Sequence, residues 1–437
     1  MKRKTLLTVF LLGCFLATAS FLRAATVGQV TAQTTRMSPQ TLVDRFQLKR
    51  GDTFSPDEYE KAQDDLHKLR VFKKLQFTAT PKGDVVDIHI DAQDDYYIFP
   101  MAFITGGAKN NMGVSVAAGN LFKQGESTFA FAGGGSDGFT TRLGANWGNH
   151  FVTASYTQLH FDQRFYQNYW ENVYGVFNTT DDKEKHQDQL LRETRSRQDG
   201  GNLLYAYRLS RTLRASIRPE LLHVRYTGKQ LDSGDHNHIT AGLTWSDDIR
   251  AGMNMGALAG LGLTDKQKSL QNLPHVRYGH TAAVYYTEGG SWLGSDYNVS
   301  KLAVEGSFLV ELKSRHLWTV QLKAQDAFNA SFTDQITSTD LLTGAGRYDR
   351  QHRGTRGAGV GTSFVFYLLR NQTGLLSVTP FYELAYTYTN GAYRPHSGAG
   401  ALLAYKLWRF PLPVGISYTH NLQDGSNQAG FVIGGAF

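Results

Sequence analysis

Apolar and polar residues alternate along most of the chain from residue 101 to the C-terminus. Segments of roughly ten residues repeat this pattern, among them ESTFAFAGGG (126–135), HFVTASYTQLHF (150–161) and HLWTVQLKAQDA (316–327). A period of two residues predicts strands with one apolar face. Roughly seventeen such segments can be counted, and we assign one of them to a loop.

The last segment, NQAGFVIGGAF (427–437), places Phe431, Ile433 and Phe437 on one face and small residues on the other. An apolar face at a chain end gains nothing from water, so we expect these side chains to contact lipid. After the leader, no run of uncharged apolar residues is long enough for a membrane-spanning helix. A closed barrel satisfies its backbone hydrogen bonds in lipid, and single-chain barrels have even strand numbers. The sequence thus predicts an all-β transmembrane β-barrel of about 16 antiparallel strands over residues 96–437; soluble sandwiches are the alternative.

Residues 25–95 follow a different pattern, which predicts a small α+β domain. Serine–proline pairs at 38–39 and 55–56 provide an N-cap followed by the first helical residue, so each begins a helix. A strand, TVGQVTAQ, precedes these helices, and two alternating segments, FKKLQFTATP and DVVDIHID, follow them. The predicted order is strand, helix, helix, strand, strand.

Residues 1–24 predict a secretory signal peptide, with a basic start (MKRKT), an apolar stretch and small residues after it. Removal of its four basic residues lowers the formal charge from +7 to +3, which is too small to indicate nucleic-acid binding. The only cysteine, Cys14, lies in this leader. LLGC (11–14) is similar to a lipoprotein processing site, so lipidation of Cys14 is an alternative to cleavage further on.

The N-terminal pattern resembles the polypeptide-transport-associated (POTRA) domain. The resemblance rests on Leu48, Gly51, the amphipathic second helix and the segment LRVFKKLQF (69–77) that leads to the final strand. We count one copy. An unrelated two-layer α+β domain is the alternative.

A POTRA domain followed by such a barrel resembles the BamA/TamA superfamily, the bacterial surface antigen family of insertases and translocators. GVSVAAGNLFKQGESTFAFAGG (113–134) is similar to the family's strand, N-L-F-G-x-G turn and strand, with Lys123 in place of the first glycine and Gly125 as the second. GAGALLAYKLWRFPLPVGISYTHNL (398–422) resembles the family's closing hairpin, and the terminal strand resembles the signal read during barrel assembly.

The family also has an Arg-Gly-aromatic motif in its sixth extracellular loop, which folds into the barrel lumen. The corresponding region is TGAGRYDRQHRGTRGAGVG (343–361). Gly346, Arg347 and Tyr348 have the three residue types of the motif, but the glycine and the arginine are in the opposite order. Arg353 and Gly354 have the right order without the aromatic. We favour Arg347 with Tyr348; a third interpretation is that these arginines only solvate a loop.

A guanidinium in a partly desolvated lumen requires a carboxylate partner. The resemblance implies acids on the two strands that follow the loop. Glu383 matches one of them, and Val365 occupies the position of the other, so half of the expected contact is missing.

The resemblance implies two surfaces for client polypeptides. An unfolded chain would add to the edge of the strand around residues 71–78, which contains Val71, Phe72, Leu75 and Phe77. The first and last barrel strands would meet at a lateral seam that opens because glycine weakens strands. Its candidate residues are Gly106, Gly107, Gly430, Gly434 and Phe437.

No catalytic constellation, cofactor motif or metal site is predicted. GAGVGTS (357–363) lacks the lysine of a phosphate loop. His236 and His238 lack a third ligand nearby. The charged run 181–197 is typical of a solvated loop.

The sequence therefore predicts a non-enzymatic factor of the bacterial outer membrane with its POTRA domain in the periplasm. Its expected partners are the lipid bilayer, unfolded outer-membrane or secreted polypeptides and accessory periplasmic proteins. Three alternatives remain: a passive pore or structural surface antigen, a two-partner secretion transporter, which would normally have two POTRA domains, and a lipid-handling relative.

Overall fold

A computed structural model describes most of the chain after residue 24. The described residues are 25–67, 71–106, 111–135, 138–166, 170–173, 190–210, 212–227, 233–246, 278–312, 316–331, 333–341, 350–351, 353–370, 374–389, 391–407, 414–422, 425 and 427–433. They divide into two compact units. The first contains residues up to Tyr97 together with Gly119–Glu126, and the second contains Ile98–Ala118 and Ser127 onward.

The first unit has the element order expected from the sequence. Its elements are β1 (Thr26–Thr34), α1 (Pro39–Phe46), α2 (Pro56–His67), β2 (Phe72–Lys82) and β3 (Val85–Asp94). The sheet order is β1-β3-β2, with β1 parallel and β2 antiparallel to β3. Both helices begin as predicted, since the hydroxyl of Ser38 accepts from Thr41 N and that of Ser55 from Glu58 N.

The core of this unit forms between the helices and the sheet. Leu42 and Phe46 of α1, Leu66 of α2 and Ile88 and Ile90 of β3 are fully buried. These positions follow the periods of a helix and a strand, so one apolar face of each element is removed from water.

Sixteen strands of seven or more residues form the wall of the second unit among the described residues, which confirms the predicted number. They are β4 (Tyr97–Gly106), β5 (Asn111–Gly119), β6 (Ser127–Gly135), β7 (Gly138–Trp147), β8 (His150–Tyr166), β10 (Leu190–Arg208), β11 (Leu213–Tyr226), β13 (His238–Ser246), β14 (Tyr278–Gly289), β15 (Val299–Glu311), β16 (Leu317–Asn329), β20 (Arg356–Arg370), β21 (Gly374–Thr389), β22 (Ala392–Leu407), β23 (Val414–Asn421) and β24 (Asn427–Ile433).

Shorter elements lie in the connections. They are β9 (Trp170–Val173), β12 (Gly234–Asp235), a 3₁₀ turn (Ser291–Leu293), β17 (Ile336–Thr337), α3 (Ser338–Leu341), β18 (Arg350–Gln351) and β19 (Arg353–Gly354). The long strands pair in chain order, and β24 pairs with β4, so the sheet closes on itself. The chain thus has the predicted all-β barrel.

The two faces of the barrel wall differ as a lipid-embedded barrel requires. Large apolar side chains alternate along the strands and remain exposed on the outer face; examples are Ile104, Val304, Leu322, Leu403 and Phe431. The alternate positions carry polar or small residues that point inward. Phe431, which the sequence predicts to contact lipid, is 47% exposed and pairs directly with Ile416 of β23, which is 59% exposed.

Successive strands are joined alternately at two ends of the barrel. We call the end at which β4 begins and β24 finishes the near end, and the opposite end the distal end. At the distal end, loop 4 (227–237) follows β11, loop 5 (290–298) follows β14 and loop 6 (330–355) follows β16. The loop-motif region of the sequence therefore lies partly in the sixth distal loop.

One sequence expectation about this end is wrong. The charged run 181–197 was expected to be a loop, but its residues from Leu190 onward extend β10, which pairs with β8 there. Thr194 and Ser196 are buried while Arg195 and Arg197 are exposed. The alternation is that of a strand, because β8 and β10 continue as a paired ribbon at this end and the arginines at 195 and 197 lie on one face of it.

Candidate functional site

The first and last barrel strands pair directly with each other. Among the described residues, β24 pairs with β4 at three positions: Phe431 with Gly106, Val432 with Thr105 and Ile433 with Ile104. On its other side, β24 pairs with β23 at seven positions. We call the junction of β4 and β24 the seam.

The structure brings the described seam candidates to the same junction. Gly106 is itself a paired residue of the seam, and Gly430 immediately precedes Phe431. Gly107, Gly434 and Phe437 lie outside the described residues.

The predicted client strand, β2, lies at an edge of the three-stranded sheet. It pairs with β3 along its length, and no described strand pairs with its other side. Val71 is buried just before β2, while Phe72, Leu75 and Phe77 pack against the core of the first unit. These side chains therefore hold the strand in place, and the free edge consists of backbone groups.

Charge is also present at the start of this edge. Lys73 of β2 forms an ion pair with Asp95, with 2.5 Å between Nζ and Oδ2. The hydrogen bond from Lys73 and the backbone N–H of Tyr96 lower the pKa of Asp95 to about 2. Asp95 is therefore ionised at any physiological pH.

The turn between β5 and β6 belongs to the first unit although it connects two barrel strands. Asn120 donates from Nδ2 to Oδ2 of Asp94 at 2.9 Å. The same carboxylate accepts backbone N–H groups of Thr35, Arg36 and Met37 at 2.8–2.9 Å. Burial raises the pKa of Asp94, but these hydrogen bonds together hold it below its ordinary value.

This turn adopts the conformation that its glycine-rich motif requires. Asn120, Lys123 and Gly125 all have positive φ, of 55°, 62° and 61°. The buried carboxylate of Glu126 accepts from the N–H groups of Phe122 and Gln124. Lys123 thus occupies a left-handed position, which glycine adopts without steric cost.

In loop 6, Arg353 and Gly354 form β19, which pairs with β17. Arg353 donates from Nη1 to the carbonyl of Thr333 at 3.2 Å, and its own carbonyl accepts from the hydroxyl of Thr389. A side chain at Gly354 would lie 2.2 Å from the carbonyl of Tyr388, so only glycine fits there.

Arg353 is not brought to the predicted acid partner. Its backbone is held beside Thr389, six residues along β21 from Glu383, which corresponds to about 20 Å. Glu383 is buried on the inner face of β21, opposite Gly361 and Gly398. The favoured candidates, Arg347 and Tyr348, lie outside the described residues, so their relation to Glu383 remains a prediction.

Part of loop 6 lies against the inner face of the wall. Leu341 of α3 is fully buried, in a cluster with Ala327 and Ile336. Side chains at Gly357 and Gly359, which point inward, would lie 2.4 Å from Leu341 atoms. The glycines of GAGVGTS thus accommodate loop 6.

Loops 4 and 6 meet through a pair of residues that the sequence did not predict as partners. His236 and Asp334 are buried, with 2.9 Å between Nδ1 and Oδ2. The sequence suggested His236 only beside His238, as a weak metal candidate. In the structure, His238 instead lies 3.6 Å from a carboxylate oxygen of Glu220.

Two other features are absent from the described residues. None of their helices is long and apolar enough to cross a membrane. In the same part of the chain, no three histidine, cysteine or acidic side chains converge as metal ligands.

Several solved structures are similar to this fold. CdiB from Escherichia coli matches with a TM-score of 0.62 and 12% identity over 94% of this chain and 76% of that protein. CdiB from Acinetobacter baumannii matches with a TM-score of 0.58 and 11% identity over 94% and 74% of the two chains. BamA from Haemophilus ducreyi lacking POTRA domains 1–3 matches with a TM-score of 0.51 and 12% identity over 94% and 85%.

No protein-family model matches the chain, and no curated protein matches its sequence. At this level of identity the structural matches concern the fold. The chain has the fold of the outer-membrane β-barrels to which BamA and CdiB belong.

Proposed function

We propose that this protein assists the insertion or translocation of polypeptides at the bacterial outer membrane, with the N-terminal unit acting as a single POTRA domain in the periplasm. Unfolded outer-membrane or secreted polypeptides would be its clients, and accessory periplasmic proteins its partners. The proposal rests on the sequence resemblance to the BamA/TamA superfamily and on the likeness of the fold to BamA and CdiB.

The observation that carries the proposal is the seam, where the first and last strands of the barrel wall meet. Among the described residues, Gly106 of β4 pairs there with Phe431 of β24, directly after Gly430. Because glycine weakens a strand interior, we expect this ladder to open at a lower cost than the other ladders of the wall. An incoming strand would then satisfy the exposed edge of β4 by adding to it.

The edge of β2 supplies a second place for the same kind of pairing. Its free backbone groups lie outside the membrane in this proposal, where a client can form a strand before it reaches the barrel. Since Leu75 and Phe77 are packed into the core, the edge would bind through backbone groups and accept many sequences. Such tolerance suits a factor with several clients.

A disulfide across the seam tests the proposal. Thr105→Cys with Val432→Cys replaces two directly paired residues, and paired residues in antiparallel strands have Cα atoms about 4.5–5.5 Å apart, within disulfide range. Ala303→Cys with Gln325→Cys is the matched control, since it bridges the well-paired β15 and β16. Both pairs are expressed in cells depleted of the native protein, and the outer-membrane proteome is quantified with and without reductant.

The seam disulfide is expected to deplete a set of outer-membrane or secreted proteins, with recovery after reduction, while the control disulfide has no effect. Equal proteomes for the two oxidised variants would contradict the lateral opening and favour a passive pore. A changed lipid composition with an unchanged proteome would favour a lipid-handling role instead.

A further inference from the structure

Loops 4 and 5 form one hydrogen-bonded block at the distal end of the barrel. The backbone N–H of Asp235 donates to a carboxylate oxygen of Asp296, and the N–H of Asp296 donates back to the carbonyl of Asp235, both at 2.8 Å. Asn237 donates from Nδ2 to the carbonyls of Leu293 and Gly294 at 3.2 Å. This reciprocal bonding fixes the two loops relative to each other.

His236 lies within this block. Its backbone N–H donates to the carbonyl of Leu222 on β11 at 2.7 Å. Its ring stacks on Tyr297 of loop 5, with 4.5 Å between the ring centroids and 16° between the planes. Contacts from β11 and loop 5 therefore determine the direction in which its Nδ1 points.

That nitrogen is directed at loop 6. Asp334 Oδ2 lies 2.9 Å from Nδ1 of His236 and accepts the hydroxyl of Ser331 at 2.7 Å. The two residues His236 and Asp334 are 1% and 5% exposed. Burial raises the pKa of Asp334, but the hydrogen bonds from His236 and Ser331 hold it below its ordinary value, so the carboxylate is charged. A buried carboxylate is tolerated only where such donors are present.

Other described residues of loop 6 also contact the barrel wall. Thr333, next to Asp334, lies 3.2 Å from the hydroxyl of Tyr226 on β11 and accepts Arg353 at its carbonyl. Seven residues further on, Leu341 is buried against the inward-facing glycines of β20. The segment from Ser331 to Leu341 thus has a polar attachment at its start and an apolar one at its end.

The two attachments differ in strength and specificity. Burial of Leu341 stabilises the attached loop through the hydrophobic effect, which does not require one particular geometry. The His236–Asp334 contact fixes one geometry, but the loss of hydration on both groups offsets much of its attraction. An attachment of this kind selects one position for the loop while leaving its release accessible.

We propose that His236, Tyr297, Ser331 and Asp334 form a latch by which the block of loops 4 and 5 positions loop 6 inside the barrel. They are positioning residues. The latch sets the fraction of molecules in which Leu341 is packed against the inner face of β20, and hence how open the barrel is. This inference holds for any role of the barrel and does not rest on the proposed function.

A cysteine reporter in loop 6 tests the latch. Ile336→Cys replaces a side chain that is 1% exposed and lies two residues after Asp334; Cys14 is replaced by serine in the same chain. The full-length protein is reconstituted in phospholipid vesicles, its folded state is verified by heat-modifiable gel migration, and the rate of maleimide labelling is measured.

Two variants break the latch in different ways. His236→Phe retains a ring to stack on Tyr297 but removes the nitrogen, and Asp334→Asn removes the charge. His223→Phe is the matched control, because His223 has a similar contact of 2.6 Å with Asp235, within β11 and loop 4, and does not hydrogen-bond to loop 6.

Both latch variants are expected to label at least tenfold faster than the parent, and His223→Phe at the parental rate. Single-channel conductance in planar bilayers should rise in the same two variants. Equal labelling of His236→Phe, Asp334→Asn and His223→Phe, with all three folded, would overturn the latch. Because no client is needed, this result is independent of the seam experiment.

Discussion

Lys123 is held in a backbone conformation that a non-glycine residue adopts only at a cost. Its φ is 62°, in the turn that joins β5 to β6. The left-handed region costs an L-residue about 1–2 kcal/mol. Glycine avoids this cost, but its larger loss of chain entropy on folding offsets part of the gain. Lys123→Gly should therefore raise the free energy of unfolding of this turn by about 0.5–1 kcal/mol.

Hydrogen–deuterium exchange measures this effect at the N–H groups of Phe122 and Gln124, which Glu126 accepts. Exchange at both should slow in Lys123→Gly. Lys74→Gly is the control, since Lys74 lies in the extended strand β2, where glycine weakens the strand. Unchanged or faster exchange in Lys123→Gly would show that the turn carries no such strain.

Local backbone requirements of this kind can be predicted from the sequence, whereas contacts between distant residues cannot. Gly125 and the N-caps Ser38 and Ser55 act through neighbours within a few residues, so a short motif contains all the information. His236 and Asp334 are 98 residues apart, and the local sequence around each of them does not indicate the other as its partner. Their pairing depends on where the closed sheet brings loops 4 and 6.

The packing of α3 against β20 depends on two inward-facing glycines. A methyl group at Gly359 would lie 2.4 Å from the carbonyl oxygen of Leu341. Gly359→Ala should displace Leu341 and expose loop 6, because overpacking of this kind typically costs about 1–3 kcal/mol. Maleimide labelling of the Ile336→Cys reporter chain should therefore accelerate when Gly359→Ala is added to it.

Gly306→Ala on β15 is the matched control for this substitution. A methyl group there would have its nearest neighbour at 3.7 Å, an ordinary contact distance. It should leave the labelling rate unchanged. If Gly359→Ala behaved in the same way, Leu341 would not hold loop 6 against the wall.

Strand positions can be predicted from the sequence where one face of the strand contacts lipid, because apolar and polar residues then alternate along the chain. The same reasoning misassigned the first part of β10, in which charged residues occupy a strand. Charge indicates contact with water, and a strand that extends past the hydrocarbon region meets water too. Hydrophobicity therefore locates the membrane-embedded part of each strand better than its ends.

The closed sheet gives the whole molecule two chemically different faces, which adjacent residues can test. On β16, Leu322 is 45% exposed on the outer face, and its neighbour Gln321 points inward opposite Gly361. Both lie near the middle of the strand. An arginine on the lipid face at mid-depth destabilises a barrel by about 2–4 kcal/mol, whereas the lumen admits water and charge.

Leu322→Arg should therefore lower the free energy of unfolding in phospholipid vesicles by about 2–4 kcal/mol, and Gln321→Arg by less than about 1 kcal/mol. Urea titration followed by the heat-modifiable gel shift measures both. Since the two substitutions add the same side chain one residue apart, differences in charge and strand propensity largely cancel. Equal destabilisation would mean that lipid does not surround the outer face. The proposed roles of the seam, the edge strand and the latch assume a barrel embedded in a membrane, so that result would contradict them as well.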